Sequence, residues 1–301
     1  MSTYTHKLLV IGSINTDLVG SGERLPLPGE TLTGTSFSRT FGGKGANQAA
    51  AAARAGARID LIGAVGDDDF GRAALNALQS YGVDTALCRT LQTTSTGVAL
   101  IMIGEQAENS ILIIPGANGE ITPDWLTAIE WSLYDAVVLQ QEIPFETVEA
   151  AIRQASPHTK IILTPAPAYP MPDELLQQVD ILIPNEHELQ ISAGCDNFDA
   201  AAEKIASLVR MGVAVTLGAK GVRWISREED YVVPAFPATP VDTVGAGDCF
   251  SGFLAAAVAG GRPLRESLIE ACAAAALKVQ RAGAQTGIPL KDEVDRFLSA
   301  R

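Results

Sequence analysis

"DAVVLQQEIPFETVEAAIRQASPHTKIILTPA", residues 135–166, sets the architecture of this chain. Its two ends, DAVVLQ (135–140) and KIILTPA (160–166), are apolar runs of strand length, and the stretch near 145–156 between them reads as a helix. A strand, a helix and a second strand in that order form the unit of a layered α/β domain with a mainly parallel sheet. The same alternation extends both ways. Toward the N-terminus, KLLVIG (7–12) reads as a buried strand and GANQAAAAARAG (45–56) as an alanine-rich helix with Gly56 at its C-terminal end. RIDLIGAVG (58–66) reads as a strand, and DDDFGRAALNALQSYG (67–82) as a helix with acids in its first turn and Gly82 at its end. Toward the C-terminus come a strand at VDILIPN (179–185), a helix near 198–211 and a strand at VAVTLG (213–218). GVRWIS (221–226) and DYVVPA (230–235) read as a hairpin at the sheet edge, and helices are predicted over 246–260, 264–281 and 291–299.

Two segments lack helices. Residues 16–41 show turn residues with period-2 alternation, and 95–118 holds two strand-like runs, STGVALIMI and NSILIIPGAN. They read as a small β-sheet lid over one edge of a single domain spanning 1–301, a three-layer α/β domain with a mainly parallel central sheet.

Lys plus Arg number 22 and Asp plus Glu 35, a formal charge of −13. That argues against broad contact with nucleic acid or an acidic membrane and leaves room for a small anionic ligand at a local positive site. No stretch approaches the roughly 20 apolar residues of a membrane span. The run Leu8–Ile11 is too short for a signal peptide, so a cytoplasmic protein is expected. Cys88, Cys195, Cys249 and Cys272 have no metal-binding spacing and read as buried free thiols.

The common phosphate loops fit poorly. In FGGKGANQ, Lys44 is followed by Gly45, so the hydroxyl of a Walker A loop is missing. In GAGDCFSG, Phe250 stands where a dinucleotide fingerprint needs its third glycine. Other polar groups cluster after predicted strands, where ligands of open α/β sheets bind. Asn15 and Asp17 suit a pair of sugar hydroxyls, or a turn held by Asx hydrogen bonds. Gly42 and Gly43 suit close backbone approach to a ligand, with Lys44 as a cation and Asn47 as donor and acceptor; an ordinary glycine-rich turn has the same composition. Glu142 either accepts a hydroxyl or caps the next helix. Asn185 and Glu188 either organise a hydrated Mg²⁺ or cap a helix, with His187 between them solvated. In TLGAKGV, two glycines end another strand against a flat ligand or a phosphate.

VDTVGAGDCFSGF (241–253) is the sharpest signal. Gly245, Ala246 and Gly247 would bare N–H groups at the start of a helix, which makes an anion hole. Asp248 in the first turn is either a base or simply a favourable first-turn acid.

Taken together, GSINTDLV, PGET, FGGKGANQA, GDDDFG, STGVALI, NSILIIPGAN, PNEHE, TLGAKG, VDTVGAGDCF and RAGAQ resemble the ribokinase-like family of sugar and nucleoside kinases, in order along nearly the whole chain. The N-x-D pair with GGKGANQA is most similar to family members that act on ribose. The resemblance implies ATP-dependent phosphorylation of the 5-hydroxyl of D-ribose. It gives Asn15, Asp17, Gly43, Lys44, Asn47 and Glu142 to the sugar, and Asn185 and Glu188 to the phosphate–Mg²⁺ region. Thr216, Gly218 and Gly221 fall at the nucleotide, as does Gly247; Gly245, Ala246 and Gly247 fall at the anion hole, and Asp248 is the base. It also implies a monovalent cation, typically K⁺, at Asp242 and the carbonyls of Val244, Lys278, Arg281 and Gly283. Two positions depart from the family: Gly287 stands where a serine often edges the cation site, and Cys272 where a polar residue often sits near adenine. The resemblance further implies a homodimer through the lid. The rival readings are a kinase of 2-deoxyribose, another sugar or a nucleoside, and a sugar-binding protein without catalysis.

Overall fold

The computed structural model describes residues 6–105 and 108–301. The first five residues, and positions 106–107 of the expected lid segment, lie outside the described residues. Strand β1 (Lys7–Ile11) leads to β2 (Asn15–Ser21), and β3 (Ser36–Gly42) leads to helix α1 (Lys44–Arg54). Then come β4 (Arg58–Ile62), β5 (Ala64–Gly66), α2 (Asp69–Ser80), β6 (Val83–Asp84), β7 (Arg89–Leu91), β8 (Gly97–Ile103) and β9 (Asn109–Ile114). The alternating part continues as β10 (Ala136–Leu139), α3 (Phe145–Gln154), β11 (Lys160–Leu163), α4 (Asp173–Leu176), β12 (Ile181–Leu182), α5 (Glu186–Ala193) and α6 (Phe198–Leu208). Strands β13 (Gly212–Thr216), β14 (Val222–Ile225) and β15 (Asp230–Val233) precede α7 (Ala246–Ala259), α8 (Leu264–Lys278) and α9 (Lys291–Ser299).

Nine strands form the central sheet in the order β15-β14-β13-β12-β11-β10-β1-β4-β6. Pairing is parallel from β6 to β13 and antiparallel for the β13–β14–β15 edge, as the hairpin reading expects. Alternate residues of each strand feed two cores. Leu8, Val10, Leu61, Val138 and Ile162 pack with α1, α7 and α8, whereas Leu9, Ile11, Val137, Leu139 and Leu163 pack with α3, α4 and α6. Burial on both faces explains why these strands are continuous apolar runs. Each such side chain contributes about 1.5–3 kcal/mol by leaving water.

The predicted strand 58–66 divides at Gly63. Ile62 pairs with Ile11 in the central sheet, while Ala64–Gly66 pair with Arg89–Leu91 in a separate two-stranded sheet. A glycine that bends a strand makes this exchange possible. The helix expected to reach 281 ends at Lys278, and the Val279 carbonyl accepts instead from the Val241 and Asp242 N–H groups at 2.7 and 3.1 Å. A helix follows Asn185, as one of its two readings required. The four cysteines are free thiols, but Cys88 and Cys195 are half-buried where full burial is expected.

The two helix-free segments supply a four-stranded sheet, β3-β2-β8-β9. Three residues separate its first strand from the end of β1, so it is rooted at the carboxyl edge of the central strands.

Candidate active site

The parallel register places Ile11, Leu139 and Leu163 side by side, so the loops that follow β1, β10 and β11 leave from one edge. The N-termini of α1, α5 and α7 converge there. Two close approaches make that convergence possible. Gly43, at φ +87°, precedes α1, and a Cβ there would come 2.8 Å from both the Asn15 nitrogen and the Ser13 carbonyl oxygen. Gly252 lets α7 lie against α1, since its Cβ would meet the Ala51 Cβ at 2.5 Å.

Asp248 occupies the first turn of α7 and is buried. Its Oδ2 accepts from Asn47 Nδ2 and its Oδ1 from Gln48 Nε2, both at 2.9 Å. Gln140 Nε2 donates to Gln48 Oε1 at 2.7 Å, and Gln285 Nε2 donates to Asn47 Oδ1 at 3.0 Å. Two amides thus donate to the carboxylate, and two more, on other segments, hold those amides by their oxygens. Asn47, expected to face a sugar, has both ends engaged in orienting Asp248. Gln48 and Gln285 lie inside the FGGKGANQA and RAGAQ runs and Gln140 ends DAVVLQ, but an amide has no spacing of its own that marks it as an orienting group.

Asn15 and Asp17 belong to β2, which replaces the Asx-turn alternative with a strand. Being two apart, they share one face. Asn15 Oδ1 accepts from Asn118 Nδ2 at 2.7 Å, and Asn118 also accepts from the Ile14 N–H at 2.8 Å. Asn118 is a further missed residue, inside the quoted NSILIIPGAN run. The Asp17 carboxyl is pushed up to about 6, first by burial and then by the charges of Glu142 and Asp248. Glu142 Oε2 accepts from Ser13 Oγ at 2.6 Å and from the Lys44 N–H at 3.0 Å, so it holds the start of α1. Burial alone would pull the Lys44 ammonium down, but the charges of Asp248, Glu142 and Glu188 hold it above the ordinary lysine value.

Asn185 and Glu188 form a capping box on α5. Asn185 Oδ1 accepts from the Glu188 N–H, and Glu188 Oε2 from the Asn185 N–H, both at 2.8 Å. Burial raises the Glu188 pKa, opposed by the Asn185 N–H and by Lys44. Asn185 also forms a parallel bridge with Thr216, whose N–H donates to the Pro184 carbonyl at 2.9 Å. The 216–221 turn is therefore adjacent to α5, with Gly218 exposed and Gly221 buried at φ +102°. His187 is exposed, as expected.

Gly245 caps α7 in the left-handed region. The Ala246 N–H donates to the Thr243 carbonyl at 3.2 Å. Among the described residues nothing accepts from the N–H groups of Gly245 and Gly247. Behind this loop, Asp242 Oδ1 accepts from the Val244 N–H at 2.9 Å and Oδ2 from the Gly283 N–H at 2.7 Å. Lys278 is expected there through its carbonyl. Its carbonyl accepts from the Arg281 N–H at 2.9 Å, and its ammonium also reaches this loop, donating to the Asp242 carbonyl at 2.8 Å. Cys272 is buried in α8 among apolar residues, its thiol pushed up to about 12 by burial. Among the described residues no cluster of three or more His, Cys, Asp or Glu could hold a metal ion, and no helix is long and apolar enough to cross a membrane.

The family profile described as pfkB family carbohydrate kinase matches residues 5–291. The chain is 42% identical over 295 residues to a ribokinase of Bacillus subtilis, covering 97% of this chain and 99% of that protein. It is 36% identical to a deoxyribokinase of Salmonella typhi, covering 97% and 98%. The structure of an Arabidopsis thaliana ribokinase complexed with ribose and ATP superposes with a TM-score of 0.88 at 34% identity, covering 97% of this chain and 98% of that one.

Proposed function

Because the chain belongs to the pfkB family of carbohydrate kinases, we propose that it transfers the γ-phosphoryl group of ATP to O5 of D-ribose, giving D-ribose 5-phosphate and ADP. The observation that carries this reading is the Asp248 carboxylate, held by two amide donors in the same first turn as the open N–H groups of Gly245 and Gly247.

In phosphoryl transfer the protein positions groups and stabilises charge. Asp248 accepts the proton of the ribose 5-hydroxyl as O5 attacks. The Gly245 and Gly247 N–H groups face the transferring phosphoryl group; Ala246, already turned toward Thr243, contributes less than the sequence suggests. Asn15, Asp17 and the Gly43 backbone grip the other ribose hydroxyls, with Asn47 and Glu142 fixing the elements that carry them. Lys44 offsets charge between sugar and phosphate. Thr216, Gly218 and Gly221 border the nucleotide. Cys272 would present a thiol toward the base only at the fringe, since it is almost enclosed.

The residues fit Mg²⁺, which is commonly held by one or two carboxylates plus substrate phosphates and its own waters. Glu188 keeps one carboxylate oxygen outside its capping bond, and Asn185 stands beside it. The ion would bridge and neutralise the ATP phosphates. A monovalent cation at Asp242 does not fit in the same way. The Lys278 ammonium already donates to the Asp242 carbonyl at 2.8 Å and lies 3.9 Å from its carboxylate, so a second cation there would meet a like charge. No step is therefore assigned to K⁺.

The four-stranded sheet serves as a lid that closes over ribose and excludes water, limiting ATP hydrolysis. Its exposed strand β9 pairs two chains into a homodimer. The ATP requirement and the free thiols favour the cytoplasm.

The test is a panel of ribose, 2-deoxyribose, fructose, adenosine and pseudouridine with ATP and Mg²⁺, read by ADP release. Ribose is expected to give the highest kcat/KM. Deoxyribose is the rival that the 36% identical deoxyribokinase raises, and equal or better rates on it or on a nucleoside overturn the ribose assignment.

A further inference from the structure

Lys278 closes α8 with its side chain fully enclosed. Its Nζ donates to the Asp242 carbonyl at 2.8 Å and lies 3.9 Å from Asp242 Oδ2. That carboxylate is the node of the region. It accepts from Val244 on the loop that enters α7 and from Gly283 on the turn after α8, while its own N–H donates to the Val279 carbonyl. The ammonium therefore sits at the junction of the two segments that shape the N-terminus of α7. Burial draws its pKa down from the ordinary lysine value, and Asp242 draws it back.

Burying an ammonium is costly, and an apolar side chain of similar volume would be the cheaper filling. A position that keeps the charge has a use for it. We propose that the Lys278 ammonium is a built-in monovalent cation, which holds the 242–247 loop in its phosphoryl-facing shape and makes turnover independent of K⁺. This rests on the kinase reading of that loop.

Two further observations support the assignment. Two of the four carbonyls that an exchangeable ion would use are engaged in the protein's own turn: Lys278 O accepts from the Arg281 N–H at 2.9 Å, and Gly283 O from the Gly287 N–H at 3.1 Å. A Cβ at Gly287 would stand 2.8 Å from the Gly283 carbonyl oxygen and 3.1 Å from that of Arg281. Position 287 thus offers no side-chain ligand and is crowded by the oxygens such a ligand would join. A charge delivered from α8 needs neither.

The experiment compares initial rates in tetramethylammonium buffer, whose cation is too large for the site, with and without saturating K⁺. The wild-type rate is expected to change by less than about twofold, because a fixed charge is already in place. Lys278→Ala removes the charge and opens space for a dehydrated ion. It is expected to lose about tenfold or more in kcat without K⁺ and to regain most of it with K⁺. K⁺, but not tetramethylammonium, should also raise the melting temperature of this variant, since a ligand of the folded state stabilises it. Lys278→Met fills the space without a charge, and its turnover should fall in both buffers.

Activation of the wild type by about tenfold or more on adding K⁺ overturns the proposal, as does full activity of Lys278→Met in K⁺-free buffer. The wild-type titration stands even if a variant does not fold. Absence of turnover with every sugar would defeat the kinase reading itself, whereas turnover that climbs steeply with K⁺ defeats only this inference.

Discussion

Both oxygens of Asp248 accept from amide NH₂ groups, which makes the position intolerant of a neutral mimic. In Asp248→Asn the new NH₂ must face either Asn47 or Gln48, donor against donor. The expected outcome is a loss of about 10²–10⁴-fold in kcat from the missing base, with ribose affinity by calorimetry kept within about tenfold. Near-wild-type turnover would remove Asp248 from the proposed role. Asp17 gives a prediction of a different kind. Its carboxyl is raised from 3.8 to about 6, so folding favours its protonated form, and the associated stability is complete below pH 3.8 and lost as pH rises through about 6. Asp17→Asn, which stays neutral, should therefore be the more stable protein above pH 7, by about 3 kcal/mol for two pKa units, and show no such gain at pH 4. Urea denaturation at both pH values checks this, and an equal gain at both would mean that packing, not charge, is responsible. Asn15, Asp17, Lys44, Glu142 and Asp248 were legible in the sequence because they follow strands or open helices. Gln48, Gln140, Gln285 and Asn118 were not. An amide has no characteristic spacing, and its partner lies 92 residues away for Gln140 and 238 for Gln285.

The helices carrying these groups meet at a glycine. An interior glycine costs α7 about 1 kcal/mol of intrinsic propensity relative to alanine. Yet a Cβ at Gly252 would stand 2.5 Å from the Ala51 Cβ and 2.6 Å from the Gln48 carbonyl oxygen. Gly252→Ala should thus destabilise the fold by about 1–3 kcal/mol despite alanine's better propensity. It should also lower kcat, because the displaced turn of α1 bears Asn47 and Gln48. Chemical denaturation and steady-state rates on the same preparation check both halves. A stabilised variant would show that α1 and α7 have room to part. The long elements were legible for a plain reason: strands buried on both faces are unbroken apolar runs, and α2 carries its own stop signal in Gly82. β6, of two residues, and β5 and β7, of three each, are too short to show any period. The exchange of sheets at Gly63 depends on where 89–91 arrives, which local sequence does not encode.

At the scale of the whole molecule, the four-stranded sheet leaves a set of large apolar side chains in water. Every residue of β9 is exposed, with Leu112 at 61%, and Phe37 on β3 reaches 71%. An open edge strand of this kind seeks a partner, and contiguous apolar surface marks an interface. Light scattering at micromolar concentration is expected to give twice the mass of one chain for the wild type and a single chain for Leu112→Glu. A monomeric wild type would remove the dimer. The amide network around Asp248 has a consequence for how the protein is made. Asn47 must find Asp248 across 201 residues and Gln285 across 238, so the Asp248 carboxylate is oriented by contacts spanning most of the chain. Such contacts carry the largest loop-closure cost and are the slow ones to form. Gln285 anchors Asn47 rather than Asp248 itself, so the orientation of the carboxylate is completed only when the turn after α8 has joined the fold.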